Sequence, residues 1–328
     1  VTLAGKEGAR LFFPYGIYGV DLFFVISGLV MMYTTTGRPA QPGSFFLRRC
    51  IRIIPIYFIL TTIAFLIYLK TNSHSASLAD YIRSILFIPY LNVNSHEIQP
   101  ILTQGWTLNY EMFFYVLFAC SLWFKEQYRV WACSAGFVAL ISAGIWLKPA
   151  GIYARTYTDP ILLEFVFGAV IGYVVLLHPR KFRWLLLALL ISTVAAVASV
   201  LLWGVQQRVV FAGIPAATVV GSAIWLEGRG FVRHWTLLLL LGDASYSLYL
   251  VHVFVLSGLK RVLLRIFDAS QMSAHLMCMF GGLAAAGAAA VLLYKLVESP
   301  LMKYLQGVSK RITAKPERKM SAVLTGPR

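Results

Sequence analysis

The chain has 328 residues, of which 59% are hydrophobic and only 13% charged, and its mean hydropathy is +0.73. Soluble globular domains are about 45–50% apolar and about 25% charged, so a fold solvated on all sides is excluded. The formal charge of +16 would fit a nucleic-acid partner, but the basic residues lie in short loops between apolar stretches, and no nucleic-acid reading survives that distribution.

Those apolar stretches approach the length of about 20 residues that a helix needs to cross the hydrocarbon core. Taken in chain order, the predicted spans are Ile17 to Thr36, Ile51 to Leu69, Trp106 to Phe124, Val130 to Leu147, Pro160 to Leu177, Trp184 to Trp203, Val209 to Leu226, Leu237 to Ser257 and Leu276 to Val297. The expected fold is therefore all-α, a polytopic transmembrane helix bundle of about nine spans. Residues 1–16 read as an external loop, residues 17–300 as the membrane domain and residues 301–328 as a basic cytoplasmic tail. No cleavable signal sequence is visible. Asp80 to Leu91 is apolar but too short to cross, so it is expected to lie along the interface or to re-enter.

Loop charge sets the orientation, because cytoplasmic loops retain an excess of Lys and Arg. Arg38, Arg48, Arg49 and Arg52, then Lys125 and Arg129, then Arg180, Lys181 and Arg183, then Arg229 and Arg233 all fall on one side with the basic tail. The alternate loops are poorer. A cytoplasmic C-terminus follows, and a bacterial inner membrane is the expected location. The tail from Gln306, with Lys310, Arg311, Lys315, Arg318 and Lys319, reads as a disordered strip near anionic headgroups. His74, His96 and Glu97 share the long outer loop without a metal-ligand spacing, and no metal is expected. Cys50, Cys120, Cys133 and Cys278 show no CxxC spacing and are expected to be small buried apolar residues.

Ionisable side chains inside a membrane helix cost about 2.5–3.5 kcal/mol on insertion scales and face a partner or a cavity. Asp21, Glu111, Glu164, Asp243 and His252 are such residues. Helical spacing places Thr107, Glu111 and Tyr115 on one polar stripe, as a cavity wall would be, although a structural carboxylate satisfied by a neighbouring helix has the same pattern. Ser245, Tyr249 and His252 form a second stripe, on which His252 is either a general base or a hydrogen-bonded structural residue. Glu164 shares its face with Gly168 and Gly172, a spacing for close helix approach. Gly282, Ala286 and Ala290 repeat that pattern. Asp21 lies near a span end where it can cap or pair, and Lys295 with Glu298 is expected to form a local ion pair. Arg48, Arg49 and Arg52 stand where a helix enters the membrane. They either anchor it or grip the phosphates of an anionic donor such as a coenzyme A thioester.

Four stretches carry a resemblance: Gly19-Val-Asp-Leu-Phe-Phe-Val-Ile-Ser-Gly28, Phe46-Leu-Arg-Arg-Cys-Ile-Arg-Ile-Ile-Pro55, Gly105-Trp-Thr-Leu-Asn-Tyr-Glu111 with Phe114-Tyr115, and Leu241-Gly-Asp-Ala-Ser-Tyr-Ser-Leu-Tyr-Leu-Val-His252. With the closing Val297-Glu-Ser-Pro300, they resemble the acyltransferase 3 family of integral membrane acyltransferases, in particular the branch that acetylates exopolysaccharides and O-antigens. The resemblance implies an acyl-CoA donor, usually acetyl-CoA, bound from the cytoplasm, no bound cofactor, and a glycan or lipid-linked sugar acceptor. It carries donor binding onto Arg48, Arg49 and Arg52 and active-site roles onto Trp106 and Glu111. Phe23, Phe24, Ser27 and Gly28 would line the reaction channel, with Tyr246 and His252 on a supporting face. The family begins with a further helix bearing a basic residue and a histidine proposed as proton acceptor. The present chain starts after that point, so one helix more than the nine is expected in the full-length family, and a truncated or non-catalytic member stays open. His252 is then the intramembrane substitute for the base. A glycan transporter or flippase is the competing reading of the same polar stripes, and it lacks support from any internal repeat.

Overall fold

The computed structural model describes residues 18–38, 40–71, 77–93, 95–231, 235–266 and 272–313. The expected opening loop, His74 and the tail from 314 onward lie outside the described residues, as does the side chain of Cys278. The helices are α1 (Gly19–Thr35), α2 (Pro42–Lys70), α3 (Leu78–Ile85), α4 (Gly105–Ser121), α5 (Glu126–Leu147), α6 (Ile152–Tyr157), α7 (Leu163–Leu177), α8 (Phe182–Trp203), α9 (Ile214–Gly228), α10 (Thr236–Asp243), α11 (Ser245–Ile266), α12 (Met272–Leu293) and α13 (Ser299–Thr313). A two-stranded hairpin, β1 (Leu91–Asn92) with β2 (Glu97–Ile98), lies between α3 and α4 and carries His96 and Glu97. Among the described residues, seven helical segments are long and apolar enough to cross a membrane, and α1 is a shorter apolar helix. The protein is an all-α, multi-pass membrane bundle. Every predicted span overlaps one of its helices.

α1 sits at the centre, packed against α4, α7 and α9. The α1–α7 contact is the closest in the bundle because glycines face each other across it. A Cβ on Gly168 would stand 1.8 Å from the Val25 carbonyl oxygen, and one on Gly28 would stand 2.0 Å from that of Phe165. The small stripe read on the fifth span is therefore a packing seam. The second stripe behaves likewise, with Ala286 and Ala290 buried and a Cβ on Gly282 falling 2.6 Å from Leu256 Cδ2. α8 is the opposite case. Leu190, Ile191, Val194, Leu201 and Leu202 are exposed on it, so its apolar surface is suited to lipid and not to a protein core.

Several expectations are corrected. The second span begins at Pro42, nine residues earlier than hydropathy suggests, because the arginines that end an apolar window do not end a helix. The eighth span breaks at Ala244. There the Glu298 carboxylate receives the Ser247 Oγ–H, which ties the first turn of α11 to the π-helical turn before α13. Glu298 reaches that position from a π-helical turn, Tyr294–Glu298, which rotates it inward while Lys295 stays exposed. The expected Lys295–Glu298 pair is not formed. The tail from Gln306 is helical as far as Thr313, since Leu301, Met302, Leu305 and Val308 make a half-buried face on α13, which packs against α2. Cys133 is buried as expected, but Cys120 is exposed on α4. Ser245 and Asp243 are exposed too, and α11 instead buries Tyr246, Ser247 and Leu250.

The short segment after α2 neither spans nor floats. A Ser77–Asp80 capping box starts α3, and Ser84 then ties three pieces together. Its carbonyl accepts from Tyr57 Oη at 3.1 Å, its hydroxyl meets Tyr90 Oη at 3.1 Å, and the same oxygen accepts the Ile101 N–H at 3.0 Å. These bonds hold the approach to α4.

Replacing Glu298 by Ala leaves the buried Ser247 hydroxyl without its acceptor, so a loss of about 1–3 kcal/mol is expected. It would be read as a lowered unfolding midpoint in detergent, with Glu298→Gln recovering part of it through its amide oxygen.

Candidate active site

Two polar clusters lie at different depths of α4, one toward the bundle end that carries Arg49 and one toward the end that carries Arg208. α4 starts at the Arg208 end with Gly105 and Trp106 and runs toward the Arg49 end through Glu111 and Tyr115. Thr107, Glu111 and Tyr115 are all buried on one side of it, as the stripe predicts. Thr107 Oγ1 lies 2.7 Å from Tyr249 Oη, which also donates to the Gln104 carbonyl at 3.1 Å.

The Glu111 carboxyl is the centre of the deeper cluster. Its Oε1 accepts from Ser27 Oγ at 3.2 Å, across the α1–α4 interface, and from the Tyr115 hydroxyl one turn along α4. Its Oε2 is buried without a hydrogen bond. Arg49 lies next in line. Its guanidinium is 5.4 Å from the Phe45 ring centroid and 5.9 Å from that of Tyr115, and Nη2 donates to Thr34 Oγ1 at 2.8 Å. Its Nε is buried and unpartnered. An acceptor atom and a donor atom are thus both left open in one arrangement. Cation–π seating is worth about 0.5–2 kcal/mol, enough to hold the guanidinium in place with its Nε left without a hydrogen bond.

The three arginines divide. Arg49 turns into the bundle, whereas Arg48 and Arg52 are exposed on the other face of α2. Arg52 is near enough to Glu111 and Glu298 for their charges to interact, as Arg48 is to Arg49. The adjoining helix ends are cross-tied, since Arg129 Nη1 donates to the Thr35 carbonyl at 3.0 Å and the Gly37 N–H donates to Glu126 at 3.2 Å.

Trp106 is half-buried, edge-on to Tyr110 at 5.9 Å and to Phe24 at 6.5 Å, with the Arg208 guanidinium 6.0 Å from its ring. His252 is not part of this constellation. Its Nδ1 lies 3.1 Å from the Leu248 carbonyl of its own helix, and its ring tilts against Tyr249 at 6.1 Å. Tyr249 stacks on Phe23 at 5.7 Å, so His252 belongs to the supporting wall. Among the described residues, no group of three or more His, Cys, Asp or Glu side chains is placed to hold a metal ion.

Arg208 and Asp159 are the residues that sequence reading passes over. Arg208 looks like one more loop cation, and its partner Asp21 lies 187 residues away. An intramembrane carboxylate at a span end is the only sequence signal that asks for it.

With this geometry in place, the relatives decide the family. The sequence profile of the acyltransferase domain, acyltransferase family 3, matches residues 4–295. The chain belongs to acyltransferase family 3. It is 35% identical over 308 residues to the exopolysaccharide production protein ExoZ of Rhizobium meliloti, a match covering 92% of this chain and 94% of that protein. It is 24% identical over 330 residues to the acyltransferase MdmB of Streptomyces mycarofaciens, covering 88% of this chain and 82% of that one. No solved structure gives a significant match. The protein is thus a membrane acyltransferase, and the transporter reading falls away.

Proposed function

We propose that this acyltransferase moves an acyl group, acetyl in the simplest case, from acyl-CoA to a sugar hydroxyl of an exopolysaccharide or related glycan at a bacterial inner membrane, with its C-terminus in the cytoplasm. The observation that carries the proposal is the Glu111 carboxyl, enclosed between Ser27 and Tyr115 with Oε2 free, one step from the guanidinium of Arg49. The exopolysaccharide-production name of the ExoZ relative supports a glycan acceptor.

In this reading Arg49, with the exposed Arg48 and Arg52, meets the donor's phosphates, since guanidinium forks suit them. The thioester then reaches toward Glu111. Glu111 Oε2 takes the proton of the sugar hydroxyl, and the oxygen attacks the thioester carbonyl carbon. The C–S bond breaks, and the departing thiolate receives the proton back from Glu111. Ser27 and Tyr115 hold the carboxyl in one rotamer, so only Oε2 points to the reaction. Burial excludes water, which would otherwise compete for the acyl group.

Arg49→Ala is expected to raise KM for acetyl-CoA about ten-fold or more, with Arg49→Lys recovering only part because it restores charge without the fork. The assay is glycan-dependent thiol release from acetyl-CoA by purified protein in detergent. No thiol release with any glycan would end the reading, and an unchanged donor KM in Arg49→Ala would remove its donor half.

A further inference from the structure

The Arg208 end holds a second buried polar cluster that the transfer chemistry does not use. Arg208 precedes a π-helical turn, Val209–Gly213, and such turns occur often at functional positions. It grips Asp21 with two bonds, Nε to Oδ1 at 3.0 Å and Nη2 to Oδ2 at 2.8 Å. The Arg208 side chain is 27% exposed and that of Asp21 0%, so the guanidinium is at the mouth and the carboxylate on the floor.

Beside them Glu164 is 0% exposed, and neither of its carboxyl oxygens has a hydrogen bond. It faces Asp21, Arg208 and Asp159. Asp21, whose two oxygens accept from Arg208, is a carboxylate without a donor and so gives Glu164 nothing to accept. Three carboxyl groups thus share one guanidinium. A fully buried carboxyl group with no hydrogen-bonded partner is the kind of orphan that a ligand hydroxyl satisfies. The turn also makes room for it, since a Cβ on Gly213 would stand 3.0 Å from Glu164 Oε1.

The rim of this cluster is aromatic on one side and open on another. Trp106 and Tyr110 stand against Arg208 and Asp159. Asp159 in turn lines an open groove of about 420 Å³ with Thr158, Pro160, Lys148 and Arg155. Trp106 and Glu111 are five residues apart on α4, about 7.5 Å along its axis. Both meet α1, Trp106 at Phe24 and Glu111 at Ser27, three residues apart on that helix.

We propose that the Arg208 end is the acceptor subsite, in which a pyranose stacks on Trp106 and donates a hydroxyl hydrogen bond to Glu164, while the Arg208–Asp21 pair fixes the floor. This rests on the acyl-transfer reading above for the reaction it serves, but the binding itself is testable without any donor. Saturation-transfer NMR with methyl β-glucoside, methyl β-galactoside and methyl α-mannoside, on the chain in lipid nanodiscs, is expected to show ring-proton signals from at least one pyranoside. Those signals should vanish in Trp106→Leu and Glu164→Leu and persist in Arg49→Ala. Should Glu164→Leu fail to fold, the isosteric Glu164→Gln decides: unchanged melting, glycan KM raised ten-fold or more, donor KM within two-fold. No pyranoside signal from the parent protein overturns the subsite, as does a glycan KM unmoved in Glu164→Gln. Stabilisation by calcium or sodium that Glu164→Gln abolishes would overturn it in favour of a cation. Pyranoside binding with no thiol release under any condition would uphold the subsite and sink the acyl-transfer reading instead.

Discussion

Glu111→Gln is expected to lower kcat for glycan-dependent thiol release by about a thousand-fold, within the roughly 10²–10⁴ range of general acid–base catalysis. The substitution is nearly isosteric, and the amide oxygen can still accept from Ser27 and Tyr115, as Glu111 Oε1 does now. What is lost is the proton acceptor at Oε2, the atom left without a partner. Donor KM should hold within two-fold, because Arg49 keeps its seat on Phe45 and Tyr115. Ser27→Ala makes the graded comparison. It frees the carboxylate to rotate without removing it, so a loss of about ten-fold or more is expected, in proportion to one hydrogen bond to a charged group of about 1.5–3 kcal/mol. Single-turnover transfer from labelled acetyl-CoA separates these effects from donor binding. Full activity in Glu111→Gln would move the base to another residue.

Gly168→Ala is expected to be the most damaging single methyl group in the molecule. Its Cβ would fall 1.8 Å from the Val25 carbonyl oxygen and 2.9 Å from the Leu29 nitrogen, both backbone atoms that no rotamer change can move. Overpacking costs typically about 1–3 kcal/mol and occasionally more, and a backbone clash belongs at the upper end. The helix that must retreat is α1, which carries both Ser27 and Asp21. Relief of the clash therefore pulls on the Ser27–Glu111 bond and the Arg208–Asp21 pair together. The unfolding midpoint in detergent should drop and activity should fall with it. Gly136→Ala, with nothing within 4 Å of its new Cβ, should be neutral or gain a few tenths of a kcal/mol from helix propensity.

The helices themselves are written in the hydropathy of the chain. Glu111 and its stripe with Thr107 and Tyr115 were legible for the same kind of reason, since a charge in an apolar helix is costly unless it turns inward. Three features are not legible in local sequence. The α2 start was hidden because Arg48, Arg49 and Arg52 lower the local hydropathy without interrupting helical hydrogen bonding. The Ala244 break was hidden because the residue that ties it down, Glu298, comes from 51 residues along the chain from Ser247. For His252 the residue type leaves a general base and a hydrogen-bonded structural residue both open, and only the structure shows its Nδ1 beside the Leu248 carbonyl of its own helix.

Taken alone, the sequence determined that the chain is a multi-pass membrane protein, where its apolar helices lie, and that a charge such as Glu111 must turn inward; each of these follows from the free energy of putting a side chain in hydrocarbon, a property of short segments. Only the tertiary structure decided who the partners are. Ser27 meets Glu111 across 84 residues and Arg208 meets Asp21 across 187, and no local rule links positions so far apart. Their meeting depends on how closely α1 approaches α7, which the glycines permit but whose register comes from packing the whole bundle.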